Sequence, residues 1–342
     1  MTRTYRYTTP APPKAATGVT AEVFAQLSTD FGFEGAPAFV VLTASPPLLT
    51  GTWAVLRESL LAGSASRVDK EVVAAGVSLA NRCPFCVDAH TVLLHATGEH
   101  GLAETVGRGE EPADPRHRRL LAWGKRMDEE RPFAAQHTPE FIGTGLAFHF
   151  INRIVSALLT EDMLPGGVQK YRALRSMAGR TLSRTVRREL PPGDSLRLLE
   201  TAGPAPAWAG DSPVGPAFGA LRTAAHMGAG LLSDEDAAYV RRTVAAWDGV
   251  SPLPLSGGGL PGRDERPGVR LALLAALAPY RITDEDVAAW LVPPRSEHCL
   301  VHLIAFGAIC AVERVESALT GAAPHGDGAP VRGDRLSPPA RE

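Results

Sequence analysis

Apolar residues recur at helical spacing along most of this chain while strand-like alternation is scarce, which restricts the fold to the all-α class. The spacing predicts helices within 119–124, 141–159, 237–247, 271–277 and 300–312. Clusters of Pro and Gly at 191–193, 203–206 and 256–262 mark the breaks between helical blocks. At 342 residues, 44% of them hydrophobic, the chain has enough length and apolar content for two cores.

Chemistry concentrates in the decapeptide 81–90, which holds Cys83, Pro84, Phe85, Cys86 and His90. If a helix begins near Cys83, Pro84 sits in its first turn, where a missing N–H does no harm. Cys83, Cys86 and His90 then fall at i, i+3 and i+7 on one face, so the two thiols can meet and a base lies one turn away. The positive end of the helix dipole favours thiolate over thiol. Upstream, 68–80 reads as a second helix that turns at Asn81 and Arg82. Its Glu71 precedes Cys83 by 12 positions, and if the two helices fold back as an antiparallel hairpin, that carboxylate can orient His90.

Three other readings compete. A Cys-x-x-Cys pair can be half of a zinc site, but no second ligand pair at comparable spacing accompanies it. A glutaredoxin-like site would follow a buried strand, whereas an alanine-rich helical segment precedes Cys83. Two ordinary buried cysteines would leave Glu71 and His90 without a reason for their spacing.

The pattern Glu-x11-Cys-x2-Cys-x3-His, filled by Glu71, Cys83, Cys86 and His90, closely resembles the signature of AhpD-like alkylhydroperoxidases in the carboxymuconolactone decarboxylase superfamily. The resemblance implies a helical AhpD-like fold and no metal, flavin or haem cofactor. It implies that Cys86 attacks the peroxide, that Cys83 donates a proton and closes the disulfide, and that His90 and Glu71 form the proton relay. Many such enzymes carry a histidine between the cysteines where this chain has Phe85, whose ring presents an apolar wall to the substrate pocket. The implied partners are a hydroperoxide and a thiol reductant of lipoyl or thioredoxin type.

A weak internal duplication joins Pro37-Ala38-Phe39 to Pro216-Ala217-Phe218, and the run 152–158 to 313–319. Setting Asp69 against Asp234 brings Glu71 to Asp236, Cys83 to Asp248, Cys86 to Ser251 and His90 to Leu255, so the second module lacks the dithiol. The expected division is an extension over 1–30, an AhpD-like catalytic module over 31–165, a basic and Pro/Gly-rich linker over 166–210, a degenerate module over 211–320 and a disordered tail over 321–342.

Net charge of −2 gives no electrostatic reason to expect nucleic acid or an anionic membrane. The N-terminus has no apolar signal core and no stretch is expected to reach membrane-spanning length, so a cytoplasmic homo-oligomer is expected. Lys170, Arg172, Arg175, Arg180, Arg184, Arg187 and Arg188 read as a solvated basic face. His298, Cys299 and His302 look like metal ligands but lack an acidic third partner and read as packing residues, and His95, His100 and His117 share no spacing. The leading expectation is a thiol-dependent peroxidase. The alternatives are a redox-responsive interaction protein and a lactone decarboxylase or isomerase using Glu71 and His90 as acid and base.

Overall fold

The computed structural model describes residues 4–33, 35–160, 182–248 and 260–321. The tail from 322, Lys170, Arg172, Arg175 and Arg180 of the basic run, the break at 256–259, and Ser251 and Leu255 of the duplication lie outside the described residues. Among the described residues the structure is helical, and its extended pairing is a single antiparallel bridge between Tyr5 and Leu159.

The helices of seven or more residues among the described residues are, in order, α1 Gly18–Gln26, α2 Pro46–Leu56, α3 Arg67–Ala80, α4 Pro84–Thr97, α5 His100–Gly107, α6 Pro115–Arg126, α7 Thr138–Leu158, α8 Val214–His226, α9 Asp234–Ala245, α10 Pro267–Leu277, α11 Asp284–Trp290 and α12 Glu297–Thr320. The runs 119–124, 271–277 and 300–312 fall within α6, α10 and α12, while 141–159 and 237–247 overlap α7 and α9 and run one and two residues past their ends. Local chemistry sets the boundaries. Ser66 caps α3 through the Asp69 N–H, and Asp114 caps α6 by accepting from the Arg116 and His117 N–H groups at 2.7 and 3.0 Å. Pro84 and Pro115 each open a helix. Gly98 ends α4 at φ 103°, a left-handed conformation that glycine adopts at no steric cost.

Two long helices, α7 and α12, are the centre of the fold and pack on each other, and α2 packs on α8 beside them. Gly51 permits the α2–α8 approach: a Cβ there would lie 2.8 Å from Leu221 Cα. The expectation that no stretch reaches membrane-spanning length is corrected here. The helical stretches 135–158 and 297–320 are each long and apolar enough to span, yet 94% and 78% of their apolar windows are buried inside the protein. Helices buried on all sides lose the polar stripe that shortens an apolar run, and so imitate a membrane span.

Around this centre, α3 is clasped between α7 and α6 and carries α4 on a short hairpin. The α3–α6 crossing is close because Gly76 faces the Leu121 carbonyl oxygen, 2.6 Å from where its Cβ would stand. The chain start is tied to both halves. Arg6 donates its N–H to Leu158 O at 2.9 Å and its guanidinium to Ile282 O at 2.7 Å, and the Thr9 N–H donates to Glu297 Oε2 at 2.7 Å. Past α1, one wide π-helical turn, Leu27–Phe31, ends at Gly32 with φ 87° and turns the segment 33–39 back toward α4. Of the described residues in the basic run, Arg184, Arg187 and Arg188 are exposed, and Arg188 also pairs with Asp30 at 2.6 Å.

Candidate active site

The hairpin between α3 and α4 assembles the four polar residues that the spacing singled out. Asn81 and Arg82 make the turn, with Arg82 in the left-handed region at φ 54°. The turn is anchored from α7: Arg153 donates from Nη1 to His149 O at 2.7 Å and to Asn81 Oδ1 at 3.4 Å. Asn81 Nδ2 and Arg153 Nη1 both face His149 Nδ1, at 3.3 and 3.1 Å, so that nitrogen is an acceptor and the ring neutral. Burial, reinforced by the Arg153 charge, holds the His149 imidazole well below the usual histidine range.

Cys83 stands at the N-cap of α4 and Cys86 in its first turn, with Cα atoms 5.3 Å apart and the sulfurs joined as a disulfide. His90 follows Cys86 by one turn, the spacing at which side chains on one helix face are neighbours. Its Nδ1 meets Glu71 Oε2 at 2.6 Å. The carboxylate accepts a hydrogen bond from Nδ1–H, which assigns the tautomer and leaves Nε2 to act as the base. Nε2 is buried and has no hydrogen-bond partner. Glu71 is completely buried, and its other oxygen accepts from Arg67 Nε at 2.8 Å, one helical turn earlier. Burial alone raises the Glu71 carboxyl, but Arg67 and then the His90 hydrogen bond outweigh it and hold the group below the ordinary carboxylate value. Glu71 is therefore a carboxylate clamped between two donors, with its charge aimed at the imidazole.

Cys83 and Cys86 are 1% and 3% exposed, so reagents reach them through an internal space. That space is a cavity of about 710 Å³ lined by Phe85, Cys86, Ala89 and His90 from α4, by Phe148, Ile151 and Val155 from α7, and by Tyr5, Phe31, Phe33 and Phe39 from the chain start. The Phe148 ring meets the His90 ring edge-on with centroids 4.4 Å apart and holds the imidazole by a second contact besides Glu71's hydrogen bond.

Of the residues expected at the site, the structure joins Cys83 to Cys86 and pairs Glu71 with His90, and Phe85, Cys86 and His90 lie on the cavity lining. Sequence reasoning missed Arg67, although the i,i+4 relation to Glu71 was a readable signal. It missed Phe148 and the aromatic residues of 31–39, for which no local signal exists. The remaining candidates stand apart from the cavity. His298 donates from Nδ1 to Ala44 O at 2.7 Å. His302 is buried and lowered to about 4, by burial first and by His298 second. Cys299 and Cys310 are free thiols, and burial pushes the Cys310 thiol far up. His95 is held by Glu104 at 3.0 Å with His100 beside it at 2.9 Å, and His117 lies 3.4 Å from Asp69.

Comparison with known proteins bears on this geometry. A sequence model described as the carboxymuconolactone decarboxylase family matches residues 47–101, the stretch containing α2, α3 and α4. A protein of Mycobacterium tuberculosis named alkyl hydroperoxide reductase is 39% identical over 334 residues, which covers 92% of this chain and 94% of the relative.

Proposed function

The chain belongs to the carboxymuconolactone decarboxylase family, and on that premise we propose that it is an AhpD-like thiol-dependent peroxidase that reduces hydroperoxides through the Cys83–Cys86 pair. One observation carries the reading: a dithiol sits at a helix N-terminus, one turn from an imidazole whose partner carboxylate is fully buried, and Cys86 and His90 line an apolar cavity.

In the first step, His90 Nε2 takes the Cys86 proton and Glu71 stabilises the resulting imidazolium. The Cys86 thiolate attacks the distal peroxide oxygen, the O–O bond breaks, and the leaving alkoxide takes the proton held on His90 Nε2 to leave as the alcohol ROH. Cys86 is left as sulfenic acid. Cys83 then attacks the Cys86 sulfur, the S–O bond breaks, and water leaves as the disulfide closes. Two electrons and two protons from an external dithiol restore the pair. The sulfurs lie too deep for a bulky protein thiol to touch, so a slender reductant such as a lipoyl arm fits the entrance better than a thioredoxin-type face.

The second half is proposed to be a degenerate module of the same origin, packed as a built-in partner. Support comes from α2 and α7 of the first half lying against α8 and α12, their counterparts in chain order. Asp236, at the position of Glu71, is bound by Arg266 at 2.6 Å instead of by a histidine. The boundaries proposed are 31–165 and 211–320, and the assembly is proposed to be a cytoplasmic homo-oligomer.

The test is thiol counting with peptide mapping. One equivalent of peroxide removes two thiols per reduced chain and joins Cys83 to Cys86, while Cys299 and Cys310 stay reduced. Cys83→Ser leaves a sulfenic acid on Cys86 that a dimedone-type probe traps, and Cys86→Ser abolishes peroxide consumption. A disulfide mapped to Cys299 or Cys310, or full turnover by Cys86→Ser, overturns the proposal.

A further inference from the structure

The cavity beside Cys86 is far larger than the reaction centre needs. At about 710 Å³ it has room for roughly two dozen waters at ~30 Å³ each, whereas hydrogen peroxide is the size of about two. Its walls are also chemically one-sided. Among the described lining residues the polar side chains are Thr4, Tyr5, Cys86 and His90, and none is Asp, Glu, Lys or Arg. The aromatic rings of Phe31, Phe33, Phe39, Phe85 and Phe148 dominate the rest.

One of these polar groups is also unsatisfied. His90 Nε2 is the buried ring nitrogen without a partner, although the His90 ring lines the space and its Nδ1 is committed to Glu71. A buried imidazole nitrogen left in this way carries a desolvation cost that a ligand with one small polar head would relieve. Phe33, at 38% exposure, is one of the few large apolar side chains that the fold leaves open to solvent, and it lies on the rim of this same cavity. It stacks at a tilt on Phe31 with centroids 5.5 Å apart, so the apolar lining continues outward to the surface.

We propose that this cavity is a binding site for the uncharged alkyl tail, roughly six to twelve carbons, of an organic hydroperoxide, with the peroxide head at Cys86 and His90. The volume lies within the usual range for small-molecule sites that bury most of an apolar ligand. The inference rests on the peroxidase reading for the head group only; the tail site is a property of the walls. Part of the wall, Phe85 included, lies in the stretch matched by the family sequence model, and the rest comes from the chain start and from α7, outside that stretch; of the latter, Tyr5, Phe33 and Phe148 are the specificity-determining side chains.

The experiment measures binding without turnover. Straight-chain primary alcohols from butanol to dodecanol, the product form of the substrate, are titrated calorimetrically into the oxidised, disulfide-bonded protein. Affinity rises about threefold to fourfold per methylene, as expected for methylene transfer from water to an apolar site, and levels off once the tail fills the cavity. Phe33→Asp places a charge on the rim and Tyr5→Ala opens the wall; each flattens the chain-length dependence. Met227→Asp, at an exposed apolar residue remote from the cavity lining, leaves the slope as in the wild type. Circular dichroism of each variant checks that the helices persist.

The same series of alkyl hydroperoxides then gives kcat/KM against chain length for the reduced protein. A steep binding slope with no peroxide consumption by any substrate retains the tail site and removes the peroxidase reading. Peroxide reduction with a flat binding slope retains the enzyme and overturns the tail site. A slope equal in the wild type, Phe33→Asp and Tyr5→Ala also overturns it, since the alcohols would then bind elsewhere.

Discussion

Glu71→Gln removes one charge and almost no volume from a site where every partner is known. The wild-type carboxylate accepts from His90 Nδ1 at 2.6 Å and from Arg67 Nε at 2.8 Å with no exposure to water. A hydrogen bond to a charged partner contributes about 1.5–3 kcal/mol and a neutral one about 0.5–1.5 kcal/mol, so the imidazolium formed during thiol deprotonation loses roughly 1–1.5 kcal/mol. That corresponds to a five- to thirteenfold fall in the rate of peroxide attack. The assay is a single-turnover reaction of reduced protein with a limiting hydroperoxide, followed by quenched thiol counting at pH 7. Because Glu71 acts through His90, the penalty should nearly vanish in a His90→Asn background, where no imidazolium forms. A merely structural role would give the same loss in both backgrounds. An unchanged rate in the single variant, with the urea midpoint showing a folded protein, refutes Glu71 as the residue that orients and charges the base.

Three further outcomes follow from features of the same region. The folded Glu71 carboxyl lies below its unfolded value, so its contribution is fully present above the unfolded value near pH 4.3 and disappears as pH falls through the folded one; the gap in urea midpoint between wild type and Glu71→Gln should therefore close on acidification from pH 6 to pH 3. Gly76→Ala drives a methyl group against the Leu121 carbonyl and should cost at least about 1–3 kcal/mol, whereas Gly101→Ala on exposed α5, where a Cβ meets nothing, should stabilise by about 0.4–1 kcal/mol; chemical denaturation distinguishes them. Phe85→His introduces a proton carrier beside Cys86 and should speed hydrogen peroxide reduction severalfold, within the range general acid–base help supplies; a stopped-flow rate that does not move would mean the new ring fails to reach the sulfurs.

What could be read from the chain alone was whatever lies close together in sequence. Glu71 and His90 are 19 residues apart on two helices joined by a two-residue turn, so spacing was sufficient to bring them together. The helical class was legible for a similar reason, since apolar period is a local property. The cavity was not legible. Phe148 follows His90 by 58 positions and Tyr5 precedes it by 85, and periodicity says that such residues are buried without saying what they face. The same limit explains the misjudged membrane criterion. Arg153 and Asn152 interrupt the apolar run of α7 in sequence, yet both are buried among polar partners inside the bundle, so the window around them stays long and apolar.

The ties between the chain start and the second half have a consequence for biosynthesis. Arg6 is joined to Ile282 across 276 residues and Thr9 to Glu297 across 288, while Thr4 and Tyr5, next to them, wall the cavity. At ribosomal rates of about 5–20 residues per second, the first segment to emerge waits roughly 15–55 s for its partners to be made. During that interval the hairpin with both cysteines can already be formed from local contacts, yet its apolar chamber stands open to the solvent along one side. The nascent chain thus carries its reactive pair before it carries the wall that selects what reaches it. A chain terminated before Ile282 would keep the dithiol and the Tyr5–Leu159 bridge yet lose the ties of Arg6 and Thr9, so the wall beside the first-made site is fastened fully only by the last part of the chain to leave the ribosome.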